Sequence, residues 1–304
     1  MLFKTKDSTS GKVLHRSRPL LLSAREAYTR PPAGKTWFAT TTTVWRTDEL
    51  IRRSVRDWRR LTNETGHTNS RAETMRADHD SVYTGTHSVF PAPLVEWILL
   101  RYAPPGGHIL DAFAGGPPRA VVSSIMGYQY SGFDIRQDQI DENKAVLADL
   151  KLADNVKYIL GDGRFLDVDF PHQFDLALTC PPYYDLEEYG GGPNDLSELS
   201  SYWEFNAGMN FCAHAHRRHM KPGAFVCIVV GPFRDKRTGE LIDFPAHTVE
   251  NFREAGFIYW QQIVLSKNFA SAAKRSTNAW KGLKLVPAHE FLLVFRTPEN
   301  EKVC

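Results

Sequence analysis

The chain has 304 residues, 42% of them hydrophobic and 24% charged, and a formal net charge of +2. This ordinary soluble, globular composition suits one large domain with an extension, or two small ones. No apolar run approaches the roughly 20 residues of a membrane span, Leu20-Leu21-Leu22 is too short for a signal-peptide core, and Cys180, Cys212, Cys227 and Cys304 lack the paired spacing of a disulfide framework. That cysteine usage fits a reducing cytoplasm.

The small net charge hides an asymmetry: 16 lysines and arginines face 9 acids in residues 1–80, against 21 and 26 in the rest. The basic end reads as a phosphate-facing surface, as a poorly ordered tail, or as an interface with a second subunit in a homodimer. Within it, residues 1–45 read as loosely structured, with Pro31-Pro32-Ala33-Gly34 and the threonine run Thr40–Thr43. A helix is expected from about Thr47-Asp48 to Leu61. It places Leu50, Ile51, Val55 and Trp58 on one side and Arg52, Arg53, Arg56, Arg59 and Arg60 around the rest. Residues 62–88 are polar and read as a loop.

From Phe90 the texture changes. Phe90-Pro91-Ala92-Pro93 leads into a helix through Leu94, Val95, Ile98, Leu99 and Leu100. Expected next are strand His108–Phe113, helix Pro118–Met126, strand Tyr130–Asp134, helix Gln137–Leu150, and strands Val156–Leu160 and Phe174–Leu178. Helix Leu199–Met220, strand Ala224–Val230, helix Phe244–Ala255 and strands Ile258–Leu265 and Phe291–Phe295 close the set. Such alternation predicts a mostly parallel sheet covered on both faces. The extension is placed at 1–87 and the main domain at 88–300.

Three acidic strand ends come in order. Asp111 precedes Phe113-Ala114-Gly115-Gly116, where glycine permits a tight turn and close backbone approach; the acid could take an ammonium or orient water. Asp134 ends the next strand, where nucleoside-binding α/β folds grip a ribose diol. Asp162, in Gly161-Asp162-Gly163, could accept from an adenine amino group. The turn lacks G-x-G-x-x-G, and Pro117-Pro118 remove two N–H donors that would otherwise hold a pyrophosphate. A cofactor with ribose and adenine but no diphosphate, S-adenosylmethionine, suits this pattern. A fourth strand then runs into Thr179-Cys180-Pro181-Pro182-Tyr183-Tyr184, where two prolines must end the ladder in a stiff loop at the ligand-binding edge.

Phe90-Pro91, Asp111-Ala-Phe-Ala-Gly-Gly, Gly132-Phe-Asp134 and Cys180-Pro-Pro-Tyr183 together resemble the amino-group DNA methyltransferases, over roughly residues 88–296 and most like bacteriophage-type members. The resemblance implies a Rossmann-like S-adenosylmethionine-dependent methyltransferase fold with a mostly parallel seven-stranded sheet. It implies methyl transfer to N6 of adenine or N4 of cytosine in a base flipped out of duplex DNA, in the restriction-modification setting of a bacterial host cell. Phe113, Ala114 and Gly115 would line the methionine end of the cofactor, with Asp134 on the ribose and Asp162 on the adenine. Tyr183 would stack on the base while the Pro181 carbonyl accepts from its amine. The sequence departs from the family at Gly116-Pro117-Pro118-Arg119 and at Cys180, where an Asp, Asn or Ser is usual.

That cysteine opens alternatives: a thiolate adding to C6 of a pyrimidine to activate C5, the same fold acting on RNA or a free nucleotide, or a non-catalytic DNA-binding protein. For DNA contact the candidates are Tyr184, Asp185, Arg234 and the basic segment 267–284 with Lys267, Lys274, Arg275 and Lys281. Glu187 and Glu188 read as a solvated loop. Along a helix Cys212, His216 and His219 share a face while His214 lies elsewhere, and no second ligand cluster accompanies them, so no metal site is expected there.

Overall fold

Residues 226–230 alternate between two apolar layers: Cys227 and Val229 enter one core while Val226, Ile228 and Val230 enter the other. Only a central strand with both faces covered needs that pattern. The computed structural model describes residues 4–6, 13–15, 44–46, 90–186, 190–266, 280 and 282–299. The chain divides into two compact units, Met1–Thr42 and Thr43–Cys304. In the first, β1 (Lys4–Lys6) and β2 (Val13–His15) pair antiparallel, with Lys4 opposite His15.

The second unit begins with β3 (Val44–Arg46) and continues with α1 (Ala92–Tyr102), β4 (His108–Asp111), α2 (Pro118–Ile125), β5 (Gln129–Asp134), α3 (Gln137–Asp149) and β6 (Val156–Leu160). It ends with β7 (Phe174–Thr179), α4 (Tyr202–His219), β8 (Met220–Val230), the short pair β9 (Phe233–Arg234) and β10 (Leu241–Ile242), α5 (Phe244–Glu254), β11 (Ile258–Ser266) and β12 (His289–Arg296). The main sheet has the order β3-β11-β12-β8-β7-β4-β5-β6. Strands β6, β5, β4, β7 and β8 are parallel; β12 is antiparallel to both β8 and β11.

The fold is thus the expected α/β class, with the expected seven strands and one more, β3, parallel to β11 at the edge. The loose structure expected for residues 1–45 is corrected at three places, where the three-residue strands β1, β2 and β3 form. They are too short to show an alternation in the sequence. The hairpin β9–β10 also went unforeseen, with two residues per strand. The helix expected over 47–61 and the loop over 62–88 lie outside the described residues.

Helices α1, α2 and α3 cover one face of the sheet, where Leu94, Val95, Ile98 and Leu99 meet Ile109, Tyr130, Leu176 and Leu178. Helices α4 and α5 cover the other, where Phe205, Met209 and Phe252 meet Leu110, Phe133, Val226 and Phe295. Local chemistry sets the helix starts. Ser201 accepts from the Glu204 amide at the head of α4, and Asp243 accepts from the Ala246 amide at the head of α5. α2 opens on Pro118, whose fixed φ suits a first turn and whose missing N–H is no loss there.

Candidate functional site

The strand order reverses between β4 and β7, so their carboxyl ends form the topological switch point of the sheet. The register brings the sequence-predicted residues to that edge. Asp111 lies beside Gly132, Asp134 beside Leu160, and Thr179 beside Ile228. The Gly115–Gly116 turn, Asp134, Asp162 and the Cys180–Tyr183 loop therefore leave four neighbouring strands on one side.

Asp111 is wholly buried, and its carboxylate is fully engaged by the protein. Oδ1 accepts from the Thr179 hydroxyl at 2.8 Å and the Phe113 amide at 3.2 Å; Oδ2 accepts from Arg119 Nε at 2.5 Å and the Tyr130 hydroxyl at 2.7 Å. Arg119 Nη2 also donates to the carbonyls of Phe113 and Ala114, at 2.5 and 3.0 Å. The expectation that Asp111 receives a ligand's ammonium is thus corrected: the cation is the chain's own guanidinium, reaching back from the first turn of α2. Burial opposes the charge on Arg119, but the adjoining Asp111 carboxylate and Tyr130 hydroxyl more than offset it and raise its pKa. Burial, reinforced by Asp111, likewise raises the Tyr130 phenol well above its ordinary range. The Phe90 ring covers the guanidinium, 4.8 Å from its carbon, and Pro91 caps α1 beside it.

The turn itself needs glycine at 115, where φ is +48°. The Gly115 amide donates to Asp134 Oδ2 and the Arg136 amide to Asp134 Oδ1, both at 2.9 Å. Burial raises the Asp134 pKa, and these two amides counter part of the effect. A carboxylate offers about four acceptor positions, so two amides leave capacity for a diol. Asp162 is gripped by Arg164, with Nη2 at 2.6 Å, and Arg164 also donates to the Asn194 carbonyl at 3.1 Å. Between them Gly163 presses on the first turn: a side-chain carbon there would lie 2.2 Å from the Ala112 carbonyl oxygen. Toward an S-adenosyl ligand Asp134 keeps acceptor positions open, whereas both oxygens of Asp162 are already engaged by the Arg164 amide and guanidinium. At the ligand's amino-acid end the carbonyls of Phe113 and Ala114 are already shared with Arg119.

The proline loop divides its aromatics. Cys180 and Pro182 are half-buried and Pro181 is buried. The Tyr183 ring meets Phe233 and Phe244 edge to face, with centroids 6.3 and 5.9 Å away, and its hydroxyl donates to Glu290 at 3.2 Å. Tyr184 turns the opposite way, with φ of +47° and 8% exposure. It packs among Tyr202, Phe205 and Phe233. The expectation of Tyr184 as a substrate contact is corrected, because its ring belongs to the core under the loop. Asp185 accepts weakly from the Lys236 amide at 3.4 Å, and its carbonyl accepts from Lys236 Nζ, joining the loop to the β9–β10 hairpin. Arg234 donates to the Gly239 carbonyl at 3.1 Å and so braces that hairpin, leaving Lys236 and Arg237 exposed at its tip.

Lys267, Lys274, Arg275, Lys281, Glu187 and Glu188 lie outside the described residues; near them Trp280 and Leu283 are largely exposed. In α4, His216 Nδ1 donates to the Cys212 carbonyl at 2.8 Å, while His219 Nε2 pairs with the Leu166 carbonyl at 3.1 Å. Sequence reasoning missed the roles of Arg119, Thr179, Arg164 and Glu290. For Arg119 the usable signal was a lone cation in the first turn of an otherwise apolar helix.

No family model matches the chain, and no curated protein matches it. Among solved structures it is similar to TrmN from Thermus thermophilus at 15% identity and a TM-score of 0.48, over 68% of this chain and 48% of that one. The match thus spans about half of TrmN. It is also similar to the [4+2]-cyclase SpnF (18% identity, TM-score 0.47, 69% and 82% of the two chains). A third is a SAM-dependent methyltransferase from Methanosarcina mazei (13% identity, TM-score 0.46, 70% and 100%).

Proposed function

We propose that this chain is an S-adenosylmethionine-dependent methyltransferase acting on the exocyclic amine of adenine (N6) or cytosine (N4) in DNA. The observation that carries the reading is the convergence of the Gly115–Gly116 turn, Asp134, Asp162 and the Cys180–Tyr183 loop at one switch point. Asp134 would hold the ribose diol, Asp162 the adenine amino group, and the glycine turn the methionine portion. The cofactor supplies an electrophilic methyl group on a sulfonium.

The chain's own residues then act by positioning and fixed polarity. The Pro181 carbonyl accepts a hydrogen of the target amine, drawing its lone pair out of conjugation with the ring. Tyr183 offers an aromatic plate beside it. Lys236 and Arg237, at the hairpin tip next to the loop, suit contact with phosphates of the flanking strand.

A second reading starts from Cys180, a half-buried thiol at the head of the proline loop. Attack on C6 of a pyrimidine would use that sulfur as the nucleophile. The test is incubation with duplex DNA and S-adenosylmethionine, then digestion to nucleosides and mass spectrometry, with RNA in parallel. Methylated adenosine or N4-methylcytidine from DNA supports the amino-group reading. A C5-methylpyrimidine transfers the chemistry to Cys180, and Cys180→Ser then abolishes it. A product found on RNA alone overturns the DNA assignment.

A further inference from the structure

Glu290 stands at the head of β12, directly before the apolar run Phe291–Phe295. Because β12 runs antiparallel to β8, its first residues lie at the same sheet edge as the ends of β7 and β8. Phe291 pairs with Val230, which sets Glu290 beside Gly231. A side-chain carbon on Gly231 would come within 3.1 Å of Glu290 Cγ and 3.7 Å of the Tyr183 ring. The bare backbone at 231 is what lets a side chain from β12 reach one from the loop after β7. There the Tyr183 hydroxyl donates to Glu290 Oε1 at 3.2 Å, while Phe233 and Phe244 hold the edges of the same ring. Residues of β9, α5 and β12 thus fix one phenol, directly after the two prolines.

We propose that Glu290 is a positioning residue of the site: by accepting from the Tyr183 hydroxyl it sets the plane on which a planar heterocycle is received. This deepens the methyltransferase reading and rests on it for the substrate. The carboxylate acts through Tyr183. A phenol without its acceptor keeps its hydrophobic packing but gains freedom to tilt, so cofactor affinity is untouched while productive docking of the base falls.

The test uses the full-length protein with Glu290→Ala, Glu290→Gln, Tyr183→Phe and the Ala/Phe double variant. Three quantities are read: kcat and KM for the nucleic acid, calorimetric affinity for S-adenosylhomocysteine, and the ring signal of Tyr183 in 13C-tyrosine NMR, assigned from Tyr183→Phe. Glu290→Ala and Tyr183→Phe each lower kcat/KM about 10-fold, the loss of one charge-assisted hydrogen bond. The double variant is no worse than either alone. Glu290→Gln, which keeps an acceptor oxygen, stays within about 3-fold of wild type by the same reasoning. S-adenosylhomocysteine affinity is unchanged, and the Tyr183 signal shifts in Glu290→Ala. Additive losses, an unmoved Tyr183 signal, or cofactor affinity falling in parallel with activity would each overturn the proposal. If wild-type protein methylates no nucleoside, the methyltransferase reading fails, and the Tyr183 signal still decides whether Glu290 holds the ring.

Discussion

The Thr179 hydroxyl lies 2.8 Å from Asp111 Oδ1, so a side-chain bond joins the ends of β7 and β4 where the strand order reverses. The same hydroxyl accepts from the Phe113 amide at 3.2 Å, tying the glycine turn to the strand that launches the proline loop. Thr179→Val keeps the shape and deletes both bonds. Urea unfolding should show a loss of about 1–3 kcal/mol, the cost of stranding a buried polar partner.

Arg119→Met tests the internal ion pair. With Arg119 only 5% exposed and Asp111 fully buried, removing the cation leaves an unpaired carboxylate in the core. The expected loss is about 3–5 kcal/mol by denaturant unfolding. Adding Asp111→Asn to Arg119→Met should recover part of it, because the stranded charge is then gone. A double variant less stable than Arg119→Met would show that the pair is held for another reason.

Much of this site was legible in advance, and the reason is physical. Asp134 ends β5 and Asp162 follows β6 by two residues, and a strand end in an α/β sheet has only one edge to go to. The proline pair at 181–182 cannot remain in a ladder, so its loop position followed from backbone chemistry alone. What was not legible depends on side-chain direction. Tyr183 and Tyr184 are identical in the chain, yet the left-handed backbone at 184 drives one into the core and leaves the other at the edge. Asp111 reads like any acid at a strand end until α2 swings Arg119 back onto it. Glu290 lies more than a hundred residues from Tyr183 and meets it only through the β8–β12 register.

Gly163→Ala probes the contact between the β6 loop and the first turn. An added methyl would lie 2.2 Å from the Ala112 carbonyl oxygen, which cannot yield without moving the turn. Destabilisation of about 1–3 kcal/mol, typical of overpacking, should accompany weakened S-adenosylhomocysteine binding in calorimetry. Unchanged binding in a folded variant would separate this turn from the ligand.

Acid sensitivity should trace in part to His216. Burial holds its pKa down to about 4, against an ordinary value of 6.5. Between those values the unfolded chain binds the proton and the native one does not. The stabilisation is therefore complete above about pH 6.5 and is lost as pH falls toward 4, about 3 kcal/mol across the window. Urea titrations at pH 7.5 and 4.5 should differ less in His216→Leu than in wild type.

Arg119 has a consequence for the entropy of binding. A glycine turn whose carbonyls must wait for a ligand's ammonium is free to rearrange until the ligand arrives. Here the carbonyls of Phe113 and Ala114 are already gathered by a side chain of the same chain. The turn is rigid before any encounter, so ligand binding need not supply the free energy to order it.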